Sequence, residues 1–412
     1  MQPKIKIEDY SYNLPEDRIA KYPLDKRDSS KLLIFKDSNI SESVFSNLPE
    51  LLPSSSFIVF NNTKVVPARL FFKKATGAVI EIFCLNPVLP NEYNLVFSQT
   101  KECVWSCVVG NAKRWKNEPV SFLCDEHHQN ALALDFKAHI VERCNDGSFK
   151  IKFTWETGIP FSNVLDICGR IPIPPYLKRE TESIDYERYQ TLYAKIKGSV
   201  AAPTAGLHFT DDVLNNLKQR NNKIENICLH VGAGTFVPVK SEYIADHKMH
   251  LEPFSVSRAF IKDLLENIDL RNVVAVGTTS TRCLESLYYI GVHCIEYGEP
   301  RGVEQWEPYN NCKEFSVHDS LVAILNYMDR AGKDTLTAQT GIIIVPGYRF
   351  KIVDVLITNF HQPQSTLLLL IAALIGEEWR KVYDYALEHG FRFLSYGDSS
   401  VLFANNRKNL TI

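Results

Sequence analysis

The sequence is short of everything that marks an exported, membrane-embedded or charge-driven protein. Its ten cysteines include no CxxC pair. Scattered singly, they read as reduced thiols, and the expected compartment is the cytoplasm. No stretch approaches the roughly 20 apolar residues that a bilayer span needs. The longest apolar run, Leu367 to Ile375, has Ser365 and Thr366 before it and Gly376 after, and reads as a buried helix. The opening residues, MQPKIKIEDYSYNLPEDRIAKYPL, are charged throughout and hold no signal-peptide core. The closing RKNLTI matches no lipidation signal. Neither charge dominates: 46 Lys and Arg against 48 Asp and Glu give a net charge of −2. That excludes a chain that gathers nucleic acid by bulk positive charge, though not a local basic patch. No internal repeat or low-complexity segment is visible.

What the chain does have is length and aromatic bulk. Its 412 residues suffice for two or three domains, and 23 Phe, 18 Tyr and 5 Trp must be buried. Residues 1–60 predict a short helix at Pro15 to Lys21, a strand KLLIF, a helix or loop LPELL, and a strand SFIVFN. From Val65 to about Trp155 the texture changes to short β-rich runs: ARLFFKK, AVIEIFCL, YNLVFS, CVWSCVV, VSFLCD, ALALDF, HIVERC and SFKIKFTW. Turn signals such as Thr76-Gly77 and Asp146-Gly147 separate them, and the spacing predicts a small β-barrel or sandwich. After Gly158, apolar strands alternate with helices: NICLHVG, then NVVAVG running into TSTRCLESLYYIG, then VDVLITN running into STLLLLIAALIG. This predicts an α/β unit with a parallel or mixed sheet covered on both faces. Ligands of such sheets bind beyond the carboxyl ends of the strands. Residues 299–338 break the rhythm and read as an inserted loop and helix.

Five motifs carry polar chemistry at those strand tips. In KGSVAAPTAGLHFT, small residues let a backbone approach a ligand closely, and Thr210 before two Asp reads as a helix N-cap. The same string also suits a tight packing turn with His208 in the core. LHVGAGTF places Gly232 and Gly234 after a strand, but the following TFVPV reads as strand, so this is no dinucleotide fingerprint. In DHKMHLEPF, His247, His250 and Glu252 suit proton transfer better than metal, because the spacing fits no standard metal site. A surface loop without a role is the alternative. In VGTTSTRCLES, Thr278, Thr279 and Ser280 sit where a strand meets a helix N-terminus, which favours an anion, and Arg282 adds a bidentate donor. Ordinary capping explains the same residues equally well. TNFHQPQST and FLSYGDSS offer Asn359, His361, Tyr396 and Asp398 to a polar substrate. Two basic stretches, Lys64, Arg69, Lys73 and Lys74, then Arg170, Lys178, Arg179 and Arg188, suit either a solvated face or a phosphate backbone. Cys103, Cys107, Cys124, His127 and His128 form a cluster that admits zinc, but Cys103, Trp105 and Cys107 alternate as one face of a strand would. No metal is expected.

Taken in order, YNLPEDRIAKYPLDKRDSSKLL, FNNTKVVPARL, GRIPIPPYLKRE, ERYQTLYA, GSVAAPTAGLHFT, LHVGAGTFVPV, HKMHLEP, AVGTTSTRCLES, PGYRFKIVDVLITNFHQPQST and FRFLSYGD resemble the S-adenosylmethionine:tRNA ribosyltransferase-isomerase family of queuosine biosynthesis. The resemblance spans nearly the whole chain. It implies a large α/β domain, 1–64 and 158–412, interrupted by a β-barrel, 65–157. It also implies a reaction. The ribosyl group of the co-substrate S-adenosylmethionine passes to the amine of prequeuosine at the tRNA wobble position and rearranges to an epoxycyclopentanediol. Adenine and methionine leave, and epoxyqueuosine remains. A C–H beside a sulfonium is acidic enough for a side-chain base, and departing adenine needs a proton. His208, His230, His250, Glu252 and Asp398 are the pool for these roles. Substrate contacts are expected from Arg69, Thr204, Gly232, Gly234, Thr278, Thr279, Ser280, Arg282, Asn359, His361 and Tyr396. The expected partner is tRNA carrying prequeuosine, with no membrane and a monomeric enzyme. Three departures stand out: Asn62 where the family pattern has Asp, Gln364 where it has Lys, and the segment 299–338. They leave open a homologue using S-adenosylmethionine on another acceptor, or a tRNA-binding protein without catalysis.

Overall fold

The computed structural model describes residues 3–124, 133–232, 239, 241–310 and 313–405. Its centre is a nine-stranded mixed sheet. Across it run Thr335–Thr340, Glu252–Ser257, Lys223–Leu229, Phe57–Asn61, Val273–Val276, Val355–Asn359, Ser399–Phe403, Lys31–Lys36 and Asn39–Val44. The four strands from Lys223–Leu229 to Val355–Asn359 are mutually parallel. Their runs are apolar because both faces are covered. Phe57, Val59, Val273, Ala275 and Leu356 join one core. Ile58, Phe60, Val274, Val276 and Ile357 join the other. This is the period of two that a strand imposes. Helices Thr278–Tyr297, Arg258–Asn267 and Thr366–Ile375 pack on the first face, and Asp211–Gln219 packs on the second. The apolar run at Leu367 is thus a buried helix, capped by Ser365, whose hydroxyl accepts from the Leu368 amide. No helix among the described residues is long and apolar enough to cross a membrane.

The second body is a closed six-stranded antiparallel barrel built from residues between Arg69 and Thr154. Leu70, Phe72, Ile82, Trp105, Ile151 and Phe153 fill it. Cys103 and Cys107 point into this core, as the alternation requires. His127 and His128 lie outside the described residues. Among the described residues no group of three His, Cys, Asp or Glu is arranged to hold a metal. A short parallel pair, Thr63–Val65 with Ile196–Ser199, joins barrel and sheet.

Four expectations need correcting. YNLVFS is a helix, Tyr93–Ser98, because a short apolar run fits either state and here packs along one side of the barrel. Pro15 to Lys21 holds only a single 3₁₀ turn, Glu16–Arg18. The described part of ALALDF, residues 133–136, contains no strand. Finally, 299–338 is not merely loop and helix. After helix Val317–Ala331, Thr335–Thr340 pairs with Glu252–Ser257 and becomes the edge of the main sheet.

The topology gathers one end of the sheet into a site. The carboxyl ends of the four parallel strands meet there. The register pairs Glu252 with Thr340 and Asn359 with Ser399, so the antiparallel strands begin at the same end.

Candidate active site

At that end lies a two-lobed cleft. The first lobe, about 90 Å³, is bounded by the Ala201–Ala205 turn, Gly277 to Thr279, Asn359 and His361. The second, about 130 Å³, is bounded by Gly232, His247, His250, Glu252 and Arg282. Leu367 is a wall of both. A larger hollow, about 640 Å³, lies along the second half of helix Thr278–Tyr297 and is lined by none of the candidate site residues.

Gly277 has φ 91°, which lets the chain pass from strand directly into helix. No side chain caps that helix. Its first N–H groups therefore lack intrahelical partners and face the first lobe with Thr278 and Thr279. Ser280 is withdrawn: it is fully buried, and its hydroxyl donates to the Val276 carbonyl at 2.8 Å. Arg282 does not join the hydroxyls either. It reaches the second lobe, where Nη1 donates to Glu252 Oε2 and Nε donates to the Ile342 carbonyl at 3.0 Å. Glu252 Oε1 accepts the Gly232 amide at 3.2 Å. The pair is buried, and Arg282 Nη2 has no partner among the described residues. A guanidinium and a backbone amide thus donate to one carboxyl group.

The histidines separate into two kinds. Burial pushes His208, His230 and His361 down to about 4, so all three rings are neutral at neutral pH. His208 is tied on both sides: Nε2 lies 3.1 Å from Asn359 Nδ2, and Nδ1 lies 2.9 Å from Ser30 Oγ. The amide can only donate, so Nε2 accepts and the proton sits on Nδ1 in this network. His361 Nε2 meets Thr358 Oγ1 at 3.0 Å. His230 stacks on Tyr93, from the helix beside the barrel, with centroids 4.1 Å apart, and its Nδ1 has no partner among the described residues. His250 is different. It is exposed at the second lobe with no hydrogen bond to another described side chain.

The remaining candidates are placed as follows. Thr204 and Asn359 line the first lobe, and Asn359 Oδ1 is buried with no partner among the described residues. Asp398 lines neither lobe. It accepts from the Lys31 amide at 3.1 Å, the Arg392 amide at 2.8 Å and Arg392 Nη2 at 2.9 Å. Tyr396 donates to Asp185, which Arg179 also grips at 2.7 Å. Arg69 lies in the barrel, paired with Glu81 at 2.6 Å. Gly234 is outside the described residues. Asn62 Oδ1, just past strand Phe57–Asn61, is buried with no partner among the described residues.

Asn61 and Ser199 were not singled out by sequence reasoning. Asn61 is fully buried, and its amide grips Leu229 from both sides, Nδ2 to the carbonyl at 3.0 Å and Oδ1 from the amide at 3.1 Å. Ser199 Oγ donates to the Ala201 carbonyl at 2.8 Å and accepts the Val231 amide at 3.0 Å. Together they lock three motif turns into one rim. The only trace in the sequence is a polar residue closing an apolar strand, FIVFN.

Residues 7–402 match the family model described as queuosine biosynthesis protein. The chain belongs to that family. Relatives named S-adenosylmethionine:tRNA ribosyltransferase-isomerase include one from Aquifex aeolicus, 35% identical over 97% of this chain and 100% of its own. Another, from Desulfitobacterium hafniense, is 37% identical over 97% of this chain and 100% of its own. A solved S-adenosylmethionine tRNA ribosyltransferase from Thermotoga maritima covers 95% of this chain and 99% of its own at 24% identity, with a TM-score of 0.46.

Proposed function

We propose that this chain is an S-adenosylmethionine-dependent tRNA ribosyltransferase-isomerase. It moves the ribosyl group of S-adenosylmethionine to the amine of prequeuosine at the wobble position of tRNA. It then rearranges the sugar to the epoxycyclopentanediol of epoxyqueuosine and releases adenine and methionine. The observation that carries this reading is the two-lobed cleft, shaped by the motif turns of a queuosine-family chain. One lobe offers a helix N-terminus and hydroxyls, and the other a buried carboxylate–guanidinium pair beside an exposed histidine.

The parts suit the chemistry. The open first turn at Thr278 and Thr279 suits the methionine carboxylate, since unpaired amides and the helix dipole favour an anion. His250, free to change partners, is the proton carrier, taking the acidic C–H proton or delivering one to adenine. Glu252, oriented by Arg282 and Gly232, faces the sulfonium and the substrate amine with a fixed negative charge. His208 and Asp398 act as positioning groups: His208 holds Asn359 at the first lobe, and Asp398 holds the neighbouring loop. The barrel, 65–157, and the discontinuous unit, 1–64 with 158–412, are proposed as the domains of a cytoplasmic monomer.

The test is adenine release from S-adenosylmethionine, measured with tRNA carrying prequeuosine, with unmodified tRNA and with no acceptor. The proposal expects release with the first alone. Release without tRNA modification would point to a different acceptor.

A further inference from the structure

We infer that a shallow basic dimple formed by Arg27 and Arg188, beside the cleft, holds a backbone phosphate of the RNA next to the modified nucleotide. This rests on the function proposed above and names a contact with its partner.

Four of the eight cations in the two basic stretches are already neutralised. Arg69 pairs with Glu81 at 2.6 Å, Lys74 with Glu118 at 2.5 Å, Lys178 with Glu16 at 3.0 Å and Arg179 with Asp185 at 2.7 Å. Arg188 is not. Its Nη2 donates to the Leu24 carbonyl at 2.6 Å and its Nη1 to the Asp25 carbonyl at 3.3 Å. Its Nε is buried with no partner among the described residues. Arg27 is held the same way, by the carbonyls of Leu207 at 3.1 Å, Glu187 at 3.0 Å and Arg188 at 3.4 Å. Neither has an ion-pair partner among the described residues. Two guanidiniums are thus fixed side by side by neutral groups, a geometry that carbonyls orient but do not neutralise. Burial lowers the Arg27 pKa, and the neighbouring Arg188 charge lowers it further. An anion between them would relieve that repulsion.

The dimple's position names the anion. It is small, about 20 Å³, and its walls include Ser30, Ser395 and Tyr396. Arg392 also borders it but is paired with Asp398 at 2.9 Å. Ser395 is shared with the first lobe of the cleft, where its hydroxyl meets the Tyr176 hydroxyl at 2.5 Å. One hydroxyl pair therefore separates the basic dimple from the substrate lobe. A dimple this shallow cannot enclose a small free ligand. It can touch a phosphate whose remaining surface stays in solvent while the attached nucleotide enters the lobe.

The experiment measures binding of an anticodon stem-loop by wild-type, Arg188→Gln and Arg188→Lys proteins as a function of salt. The RNA carries a neutral methylphosphonate in turn at each linkage flanking the modified nucleotide. Losing one phosphate contact in single-stranded RNA should reduce the log–log salt slope by about 0.7. Arg188→Gln should show that reduction and bind about tenfold more weakly, and Arg188→Lys should keep most of the slope. One methylphosphonate should weaken wild type about tenfold and leave Arg188→Gln indifferent. An unchanged slope with no linkage-specific effect overturns the inference. So does a rise in the KM for S-adenosylmethionine in place of RNA weakening, which would make the anion the methionine carboxylate. If Arg188→Gln fails to fold, the linkage scan on wild type still decides, because uniform tolerance of every neutral linkage excludes the contact. Absence of adenine release by wild type would instead sink the functional reading, an outcome the binding scan does not share.

Discussion

Replacing Arg282 by Met isolates what the buried pair contributes. Glu252 and Arg282 are each 5% exposed, so the truncated site would strand a carboxylate with only the Gly232 amide to satisfy it. Breaking a buried ion pair by removing one partner costs about 3–5 kcal/mol, whereas replacing both partners with neutral groups is often close to neutral. Arg282→Met should therefore destabilise the α/β unit by about 3–5 kcal/mol. Adding Glu252→Gln should return most of that, leaving the double variant at least about 2 kcal/mol more stable than the Met single variant. Urea unfolding followed by far-ultraviolet circular dichroism is the assay, since the long helices belong to the sheet unit. Both variants should lose adenine release, which separates the role in chemistry from the role in folding. A loss below about 1 kcal/mol in Arg282→Met, or a double variant as unstable as the two singles summed, would refute the reasoning.

Three further outcomes follow from the same geometry. His208, His230 and His361 protonate near 4 when folded but near 6.5 when unfolded, so the unfolded state takes up more protons between those values. Stability should be full above about pH 6.5 and fall as pH drops towards 4, by up to about 3 kcal/mol per ring; a flat urea midpoint across that window would contradict the burial of these rings. His250→Ala should cut turnover by about 100- to 10,000-fold with S-adenosylmethionine binding retained, and unaltered single-turnover rates would remove it from the chemistry. Gly291→Ala should lower the melting temperature, because the added methyl would lie 2.3 Å from the Ser320 carbonyl oxygen where helix Val317–Ala331 crosses, and overpacking costs about 1–3 kcal/mol.

The fold was legible where burial on both faces writes a continuous apolar run. Val273–Val276 and Val355–Asn359 announce themselves as central strands, and the glycine after the first marks the turn into a helix. Thr335–Thr340 stayed hidden because an edge strand buries little, and TLTAQT carries too few apolar residues to show its period. YNLVFS misled because six apolar and polar residues without flanking signals fit strand or helix alike. At the site, the rule that ligands gather at carboxyl strand ends points to Thr278 and Asn359, which line one cavity, while Glu252 lines the other from the start of an antiparallel strand. What it could not see were partners from distant sequence. Arg282 is drawn to Glu252, 30 residues earlier in the chain, and away from the hydroxyls beside it. His208 is held by Ser30, 178 residues earlier, and His230 is covered by Tyr93, from the helix beside the barrel. Such contacts depend on which strands become neighbours, and a single sequence does not record that order.

The central claim is that the ribosyl group itself moves from S-adenosylmethionine to the tRNA base. It is tested most directly with S-adenosylmethionine carbon-13-labelled in all five ribose carbons. The protein is incubated with tRNA carrying prequeuosine, the tRNA is digested to nucleosides, and these are weighed by mass spectrometry. The account predicts one new nucleoside carrying all five labelled carbons, formed in step with free adenine. A new nucleoside that carries none of the five labelled carbons, or tRNA that stays unlabelled while adenine is released, would contradict it.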